Sequence, residues 1–264
     1  MSRDADPLAS LAVPADEVSG RFALIYRAML AESPQITEPQ FRRLATDDLA
    51  RLYRLYDAHF FGGLLARLVA RAGDPPVRFR LSRRMTRAAG KTTMRRRRRR
   101  AGWRVVEAAE YEIAVSTFLL FESFRDEPGS GAPRPAMVAG VACRDRLEAL
   151  LRIFEHELLH LAEFLAHGRS SCAAAPFRRL SRDLFGHEAS HHALITPVER
   201  AATVHAIRPG DRVAFTHAGV ERAGFVNRIT KRATVLVADP AGRLYADGHR
   251  YASFLVPLDR LRKP

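Results

Sequence analysis

The chain has 264 residues, of which 47% are hydrophobic, and it carries a formal net charge of +14 at pH 7. This length suffices for one large domain with a real core plus a smaller one, and the apolar content excludes a disordered chain. Charged residues break every apolar run well before the roughly 20 residues that cross a bilayer. The acidic, proline-containing start differs from a signal peptide, so we expect a cytoplasmic protein.

The two cysteines and the excess of basic residues narrow the class further. Cys143 and Cys172 cannot form a disulfide framework for a chain of this length. In a reducing compartment each is either a small buried apolar side chain or a metal ligand. The positive charge favours a polyanionic partner, nucleic acid before an anionic membrane, and the alternative is a solvated basic surface.

The first half of the chain predicts helices followed by strands. Residues 1–20 are typical of a flexible tail, and residues 21–70 have apolar side chains at helical spacing. Gly62-Gly63 marks a break in that helical stretch. Residues 76–120 alternate apolar and polar side chains as strands do, with an arginine-rich hairpin in the middle. Residues 126–135 have the composition of a loop.

The clearest predicted helix runs from Asp145 to Gly168. Asp145 and Glu148 form a capping box pattern at its start, and Gly168 is a typical C-terminal stop. A shorter helix follows over residues 176–185. One apolar stripe runs along the long helix and faces a core, through Leu147, Leu150, Leu151, Phe154, Leu158, Leu161 and Leu165.

Short β-rich segments separated by turn signals fill the C-terminal part of the chain and predict a small antiparallel barrel. We therefore expect a flexible tail over residues 1–20, a main domain over 21–204 and a small all-β barrel over 205–264.

The long helix carries a metal-binding pattern, His156-Glu157-Leu158-Leu159-His160, of the form H-E-x-x-H. Residues four apart lie on one face of a helix, so both imidazoles can reach one metal ion. Glu157 lies off that line and can take a proton from a metal-activated water instead of binding the metal. The pattern predicts a zinc site with His156 and His160 as ligands and Glu157 as catalytic base.

A catalytic zinc needs a third protein ligand, and several residues compete for that role. His167 shares the face of His160 but lies about 10 Å further along the helix axis, too far to reach the same ion. Cys172 follows the helix stop closely enough to fold back, and His187 lies at the end of a second, returning helix. From the residues alone both remain candidates. The others are Glu163, His191 and His192.

Four sequence blocks resemble the SprT-like (Spartan-like) zinc metalloproteases, over about residues 48–195. They are LYDAHFFGGLL, LSRRMTRAAGKTT, YEIAVSTFLL and EHELLHLAEFLAHG. The resemblance implies an α+β, zincin-like domain that cleaves peptide bonds, with His156 and His160 on zinc and Glu157 as base. It also implies an extended peptide bound beside a strand edge.

The family usually takes its third ligand from an H-G-x-x-[FW] segment after the metal helix. Here Cys172 stands at or next to that position and Phe177 supplies the aromatic residue. The resemblance therefore favours Cys172 as third ligand, with His187 as the alternative.

A run of six arginines precedes the only tryptophan of the chain, Trp103. Such a run repels itself, so we expect it to be exposed and mobile until a polyanion binds. Trp103 could stack on a base, although core packing is the other reading. The predicted nucleic-acid contacts are Arg95, Arg96, Arg97, Arg98, Arg99, Arg100 and Trp103.

Three functional hypotheses follow from the sequence. The first is a zinc protease acting on DNA-bound or DNA-crosslinked proteins, with protein or peptide substrates and DNA as partners and no membrane. The second is a non-enzymatic nucleic-acid-binding protein in which zinc is structural. The third is a zinc hydrolase of a small amide. The C-terminal part resembles SH3-like barrels, which would serve either nucleic-acid contact or stabilisation and docking.

Overall fold

A computed structural model of the protein describes residues 6–101, 104–124, 136–189, 192–194 and 196–263. These residues form an α+β protein, as the sequence predicts. Its helices are α1 (Ala15–Glu32), α2 (Thr46–His59), α3 (Leu64–Arg71), α4 (Thr117–Glu122), α5 (Arg146–His167), α6 (Ala175–Phe185) and α7 (Pro197–Val204). Its strands are β1 (Val77–Ser82), β2 (Gly90–Ala101), β3 (Arg104–Ser116), β4 (Ala136–Val138), β5 (Val141–Cys143), β6 (His192–Ala193), β7 (Arg212–His217), β8 (Val220–Ile229), β9 (Ala233–Leu244) and β10 (Arg250–Val256).

The described residues divide into two units, one ending at Leu194 and the other covering residues 196–263. The sequence predicted this boundary at residue 205, after the segment that becomes α7. Ala201 of α7 is fully buried in the core of the second unit, so this helix belongs to that unit. The sequence pattern of a helix does not indicate which of two neighbouring cores the helix packs against. For this reason the sequence placed the boundary after α7 instead of before it.

The start of the chain packs onto the first unit over the described residues, so the predicted flexible tail is wrong for residues 6–20. Leu8 and Val13 are buried, and the Val13 amide donates a hydrogen bond of 2.9 Å to the Asp183 carbonyl. Helix α1 already begins at Ala15. Two isolated apolar residues among acidic residues and prolines gave no periodic signal from which this packing could be predicted.

Helix α5 is the centre of the first unit, because it is buried on nearly all sides. Asp145 caps its start by accepting from the Glu148 amide, and Gly168 ends it in the left-handed conformation at φ 69°. The helix packs against β2 and β3 on one side and against α2, α3 and α6 elsewhere. Side chains with no exposed surface line it throughout, namely Leu147, Leu150, Leu151, Phe154, Leu158 and Leu161.

The sheet beside α5 has the order β1-β3-β2, so in the described part of the chain β2 forms its edge. Strand β3 runs parallel to β1 over Tyr111–Ser116 and antiparallel to the whole of β2. Beyond Tyr111 only β2 and β3 remain, as a two-stranded ribbon. A short sheet, β5-β4-β6, completes the strands of this unit.

The second unit is a four-stranded antiparallel sheet, in the order β10-β9-β8-β7, that curls into half a barrel. The sequence predicted a small antiparallel barrel, and the observed sheet is antiparallel but curls only half-way round. Its core has apolar side chains from all four strands and α7, including Ala201, Val213, Phe215, Val226, Val235 and Val256. Among the described residues of both units, no helix is long and apolar enough to cross a membrane.

Candidate metal centre

The two predicted histidine ligands lie one turn apart in the middle of α5 and face each other. The Nε2 atoms of His156 and His160 are 3.2 Å apart. Only 4% of His156 is exposed, and the pKa of His160 is lowered to about 4 because burial disfavours its charged form. Phe177 of α6 packs against both rings, with centroid distances of 5.0 and 4.6 Å. Both imidazoles are therefore held in place and largely removed from solvent.

Cys172 joins this pair from the loop between α5 and α6. The left-handed turn at Gly168 ends α5, and the loop then returns along the helix. The ligand atoms of His156, His160 and Cys172 all lie within 4.8 Å of one another. This is the one group in the described residues that brings three metal-ligating side chains so close.

The second ring nitrogen of His160 takes part in a polar chain that leads away from the cluster. His160 Nδ1 is 2.6 Å from Ser170 Oγ, and Ser170 Oγ is 2.5 Å from Glu163 Oε2. Glu163 lies on α5, one turn after His160, and is buried. The sequence placed Glu163 among the candidate ligands; the structure places its carboxylate beside Ser170, and the cluster of ligand atoms does not include it.

Glu157 lies against strand β2. Its Oε2 accepts a hydrogen bond of 2.7 Å from Thr92, and only 2% of the residue is exposed. Burial raises the pKa of the Glu157 carboxyl to about 7, although the hydrogen bond from Thr92 favours the charged form. Gly90 leaves the room for this carboxylate, because a Cβ at that position would lie 2.4 Å from Glu157 Oε1.

The alternative third ligand, His187, is engaged elsewhere. Its Nδ1 is 2.9 Å from Ser181 Oγ, and its Nε2 is 2.7 Å from Glu155 Oε2. Both ring nitrogens therefore have protein partners, and the cluster of ligand atoms does not include this residue. His187 follows α6 as predicted, but α6 places it on the side of α5 that carries Glu155.

Glu155 is the centre of a buried polar network that the sequence gave no reason to predict. Tyr56 donates to its Oε1 at 2.9 Å and Arg152 to its Oε2 at 3.0 Å. Burial alone would raise the pKa of Glu155, but Arg152 and His187 outweigh it and hold that pKa below its usual range. The network lies immediately before His156 in the chain and fixes that part of α5.

Of the three remaining histidines near the site in sequence, only His167 has a side chain that the structure describes. His167 lies at the end of α5 with its Nε2 3.4 Å from Asp6 Oδ1, away from the cluster as its height on the helix predicted. His191 and the side chain of His192 lie outside the described part of the chain.

The three donor groups fit a zinc ion. Zinc prefers imidazole nitrogen and thiolate sulfur, and two nitrogens on a tetrahedral ion are about 3.3 Å apart. The 3.2 Å between the two Nε2 atoms is close to that separation. Within the described residues the set has three protein ligands, as catalytic zinc sites do, whereas structural sites have four.

The arginine run forms part of strand β2, within the basic hairpin that the sequence predicts. Arg95–Arg98 are exposed, and Arg97 Nε lies 3.4 Å from Glu110 Oε2 on β3. Arg96 reaches the end of α5. Its Nη2 atom lies 3.6 Å from the position that a Cβ would occupy if Gly168 had one. Arg99 and Arg100 continue the strand, but their side chains and Trp103 lie outside what the structure describes.

Gly90, Thr92 and Ser170 are the residues of this site that sequence reasoning missed. The first two lie in the LSRRMTRAAGKTT block, which carries the family resemblance but gave them no role. Ser170 had no signal other than its closeness to Cys172. Gly90 and Thr92 contact Glu157, which is distant in sequence. The contact of Ser170 with His160 depends on how the loop after α5 folds.

Comparisons of the chain with protein-family models, with curated proteins and with solved structures find no match. Membership of the SprT-like family therefore stays a prediction from the sequence blocks.

Proposed function

We propose that this protein is a zinc-dependent hydrolase that cleaves peptide bonds, with His156, His160 and Cys172 as ligands and Glu157 as base. One observation supports this most directly. Two imidazole nitrogens 3.2 Å apart and a thiol share one small space, and the helix that carries both histidines places a buried carboxylate between them in sequence. A site that only bound a metal would have no use for that carboxylate.

The chemistry divides between the metal and the chain. Zinc in such a site acts as a Lewis acid that activates water and polarises a carbonyl oxygen. Glu157 takes the proton of the attacking water and delivers it to the leaving nitrogen. Thr92 and Gly90 orient and accommodate that carboxylate, and a cation nearby favours its ionised form.

Strand β2 supports a peptide as the substrate in preference to a small amide. In the described chain β2 is the edge of its sheet, and its residues Gly90 and Thr92 contact Glu157. An extended peptide that adds to this edge by backbone hydrogen bonds would pass directly by the catalytic carboxylate. This arrangement agrees with the zincin-like domain that the SprT-like resemblance implies.

A structural zinc in a non-enzymatic protein is the less favoured alternative. A structural zinc has four protein ligands, and His187 is the example of a fourth ligand beside His156, His160 and Cys172. His187 instead binds Glu155 and Ser181 through its two ring nitrogens, so the described residues leave a fourth coordination position for water or substrate.

We include DNA-bound or DNA-crosslinked proteins among the proposed substrates because of the position of the arginines. Side chains two residues apart share one face of a strand, so Arg96 and Arg98 lie on the face of β2 that Thr92 presents to Glu157. A nucleic acid bound along the ribbon would hold an attached protein near the cluster. The curled sheet of the second unit, which we propose to be SH3-like, would add a contact for the same kind of partner.

The direct test combines metal analysis with hydrolysis of a fluorescently labelled unfolded protein. Wild type should contain one zinc and cleave the substrate. Glu157→Gln should keep the zinc and lose about 10²–10⁴-fold in rate, because only the base is removed. Equal rates for the two proteins would exclude Glu157 from the mechanism, and a wild type without zinc would exclude the proposal.

The two cysteines provide a matched pair in the same experiment. Cys172→Ala should lower the zinc content, because it removes a ligand. Cys143→Ala should leave the zinc unchanged, since Cys143 is buried in β5 and burial raises the pKa of its thiol to about 12. Loss of zinc from the Cys143 variant alone would refute the assignment.

A further inference from the structure

The side chain of Ser170 ties the loop that carries Cys172 to α5. Its hydroxyl contacts His160 Nδ1 at 2.6 Å and Glu163 Oε2 at 2.5 Å. Ser170 is two residues before Cys172 and two residues after the end of α5 at Gly168. One hydroxyl group therefore joins a histidine ligand, a buried carboxylate and the segment that presents the thiol.

The direction of the hydrogen bonds follows from the chemistry of the three groups. The Ser170 hydroxyl donates its proton to Glu163 Oε2, since a carboxylate oxygen is an acceptor. The Ser170 oxygen then accepts, and His160 must donate through a protonated Nδ1. A neutral imidazole with its proton on Nδ1 has its free lone pair on Nε2, the atom that lies 3.2 Å from His156 Nε2.

We propose that Ser170 and Glu163 are positioning residues of the metal centre, which fix the tautomer of His160 and hold the loop of Cys172 against α5. This inference rests on the proposed function, since it takes His160 and Cys172 as zinc ligands. The two effects act together, because the bond that selects the tautomer also restrains the thiol. Groups that hydrogen-bond the second ring nitrogen of a metal-bound histidine commonly contribute about 10–100-fold to metal affinity.

Zinc affinity, measured by competition with a chromophoric chelator, is the first test. Ser170→Ala should bind zinc about 10–100-fold more weakly than wild type. Ser170→Thr keeps the hydroxyl and should recover most of the affinity. Glu163→Gln, which keeps the shape but loses the charge, should weaken binding to a smaller extent. Ser171→Ala, an exposed neighbour in the same loop, is the control and should bind zinc as wild type does.

The tautomer of His160 in the metal-free protein is a second readout, independent of zinc and of activity. Long-range ¹H–¹⁵N spectra distinguish a protonated Nδ1 from a protonated Nε2. Wild type and Ser170→Thr should show His160 protonated on Nδ1, whereas Ser170→Ala should show a shift toward Nε2. This measurement also reports whether each variant is folded.

The outcomes separate this inference from the proposed function. If wild type binds zinc and Ser170→Ala has the same affinity and the same tautomer, Ser170 has no positioning role and the inference fails alone. If wild type binds no zinc, the proposed function fails and the inference fails with it.

Discussion

The environment of Glu157 depends on the absence of a side chain at Gly90 and on one hydroxyl at Thr92. A carboxylate this deeply buried is costly without a donor, and the Thr92 hydroxyl, 2.7 Å away, is that donor. Both residues belong to β2, so the strand that would bind the substrate also shapes the base. A methyl group added at position 90 would displace the Glu157 carboxylate, and its effect on the rate would show how much the position of that carboxylate matters.

Gly90→Ala should reduce hydrolysis by about 100-fold while zinc remains bound, because a new Cβ 2.4 Å from Glu157 Oε1 forces the carboxylate away. Steady-state kinetics and metal analysis measure the two effects separately. Lys91→Ala, an exposed change on the same strand, should leave the rate unchanged. A Gly90 variant with full activity would show that the carboxylate position is unimportant.

His187→Ala should destabilise the protein by about 1–3 kcal/mol without reducing its zinc content, because the buried Glu155 carboxylate loses one hydrogen-bond partner and keeps Arg152 and Tyr56. Denaturant unfolding and metal analysis check the two parts. His167→Ala removes a half-exposed ring near Asp6 and should change neither quantity much. If His187→Ala instead releases the zinc from a protein that is still folded, His187 is a ligand after all.

At the level of elements, the ribbon of β2 and β3 explains how consecutive arginines form a regular strand. Successive side chains point to opposite faces, so the nearest like charges on one face are two residues apart. Glu110 lies opposite Arg95 in the ladder and forms an ion pair with Arg97, which offsets part of the repulsion. The described arginines, Arg95–Arg98, are therefore exposed in a regular strand, two on each face.

Changing Arg96 and Arg98 together to glutamine should weaken DNA binding and reduce the slope of log K against log salt by about two. Arg42 and Arg43, which are exposed and lie outside the ribbon, provide a control with the same loss of charge. Binding titrations at several salt concentrations measure both slopes. Equal effects of the two pairs would mean that only net charge matters and that the ribbon has no special role.

On the scale of the whole molecule, each unit has a hydrophobic core of its own. The described core residues of the first unit run from Leu8 to Leu194, and those of the second from Ala201 to Leu261. All residues of the proposed metal centre belong to the first unit. Binding of zinc should therefore stabilise one unit and leave the other unchanged.

We expect two transitions in a calorimetric scan, of which only one depends on zinc. At a zinc concentration of 100 Kd, binding contributes about 2.7 kcal/mol, and its removal should lower that Tm by about 5–10 °C. Scans with and without a chelator measure the shift. If both transitions move together, the two units do not unfold independently.

The sequence alone determined the parts of this protein that depend on local chemistry. The limits of α5 follow from Asp145 and Gly168, and its one apolar face follows from the spacing of leucines. The pairing of His156 with His160 follows from a separation of one helical turn. The hairpin around the arginines followed from strand alternation on both sides. Caps, periodicity and spacing act over a few residues, so they can be read without knowing the fold.

Only the tertiary structure decided which distant groups meet. It brought Cys172 to the histidines and took His187 to Glu155, although both candidates suited zinc. It also placed Gly90 and Thr92 beside Glu157 and linked Glu163 to His160 through Ser170. Such contacts join residues that are far apart in the chain or lie on irregular loops, where packing of the whole domain, and no local pattern, sets the distance between two side chains.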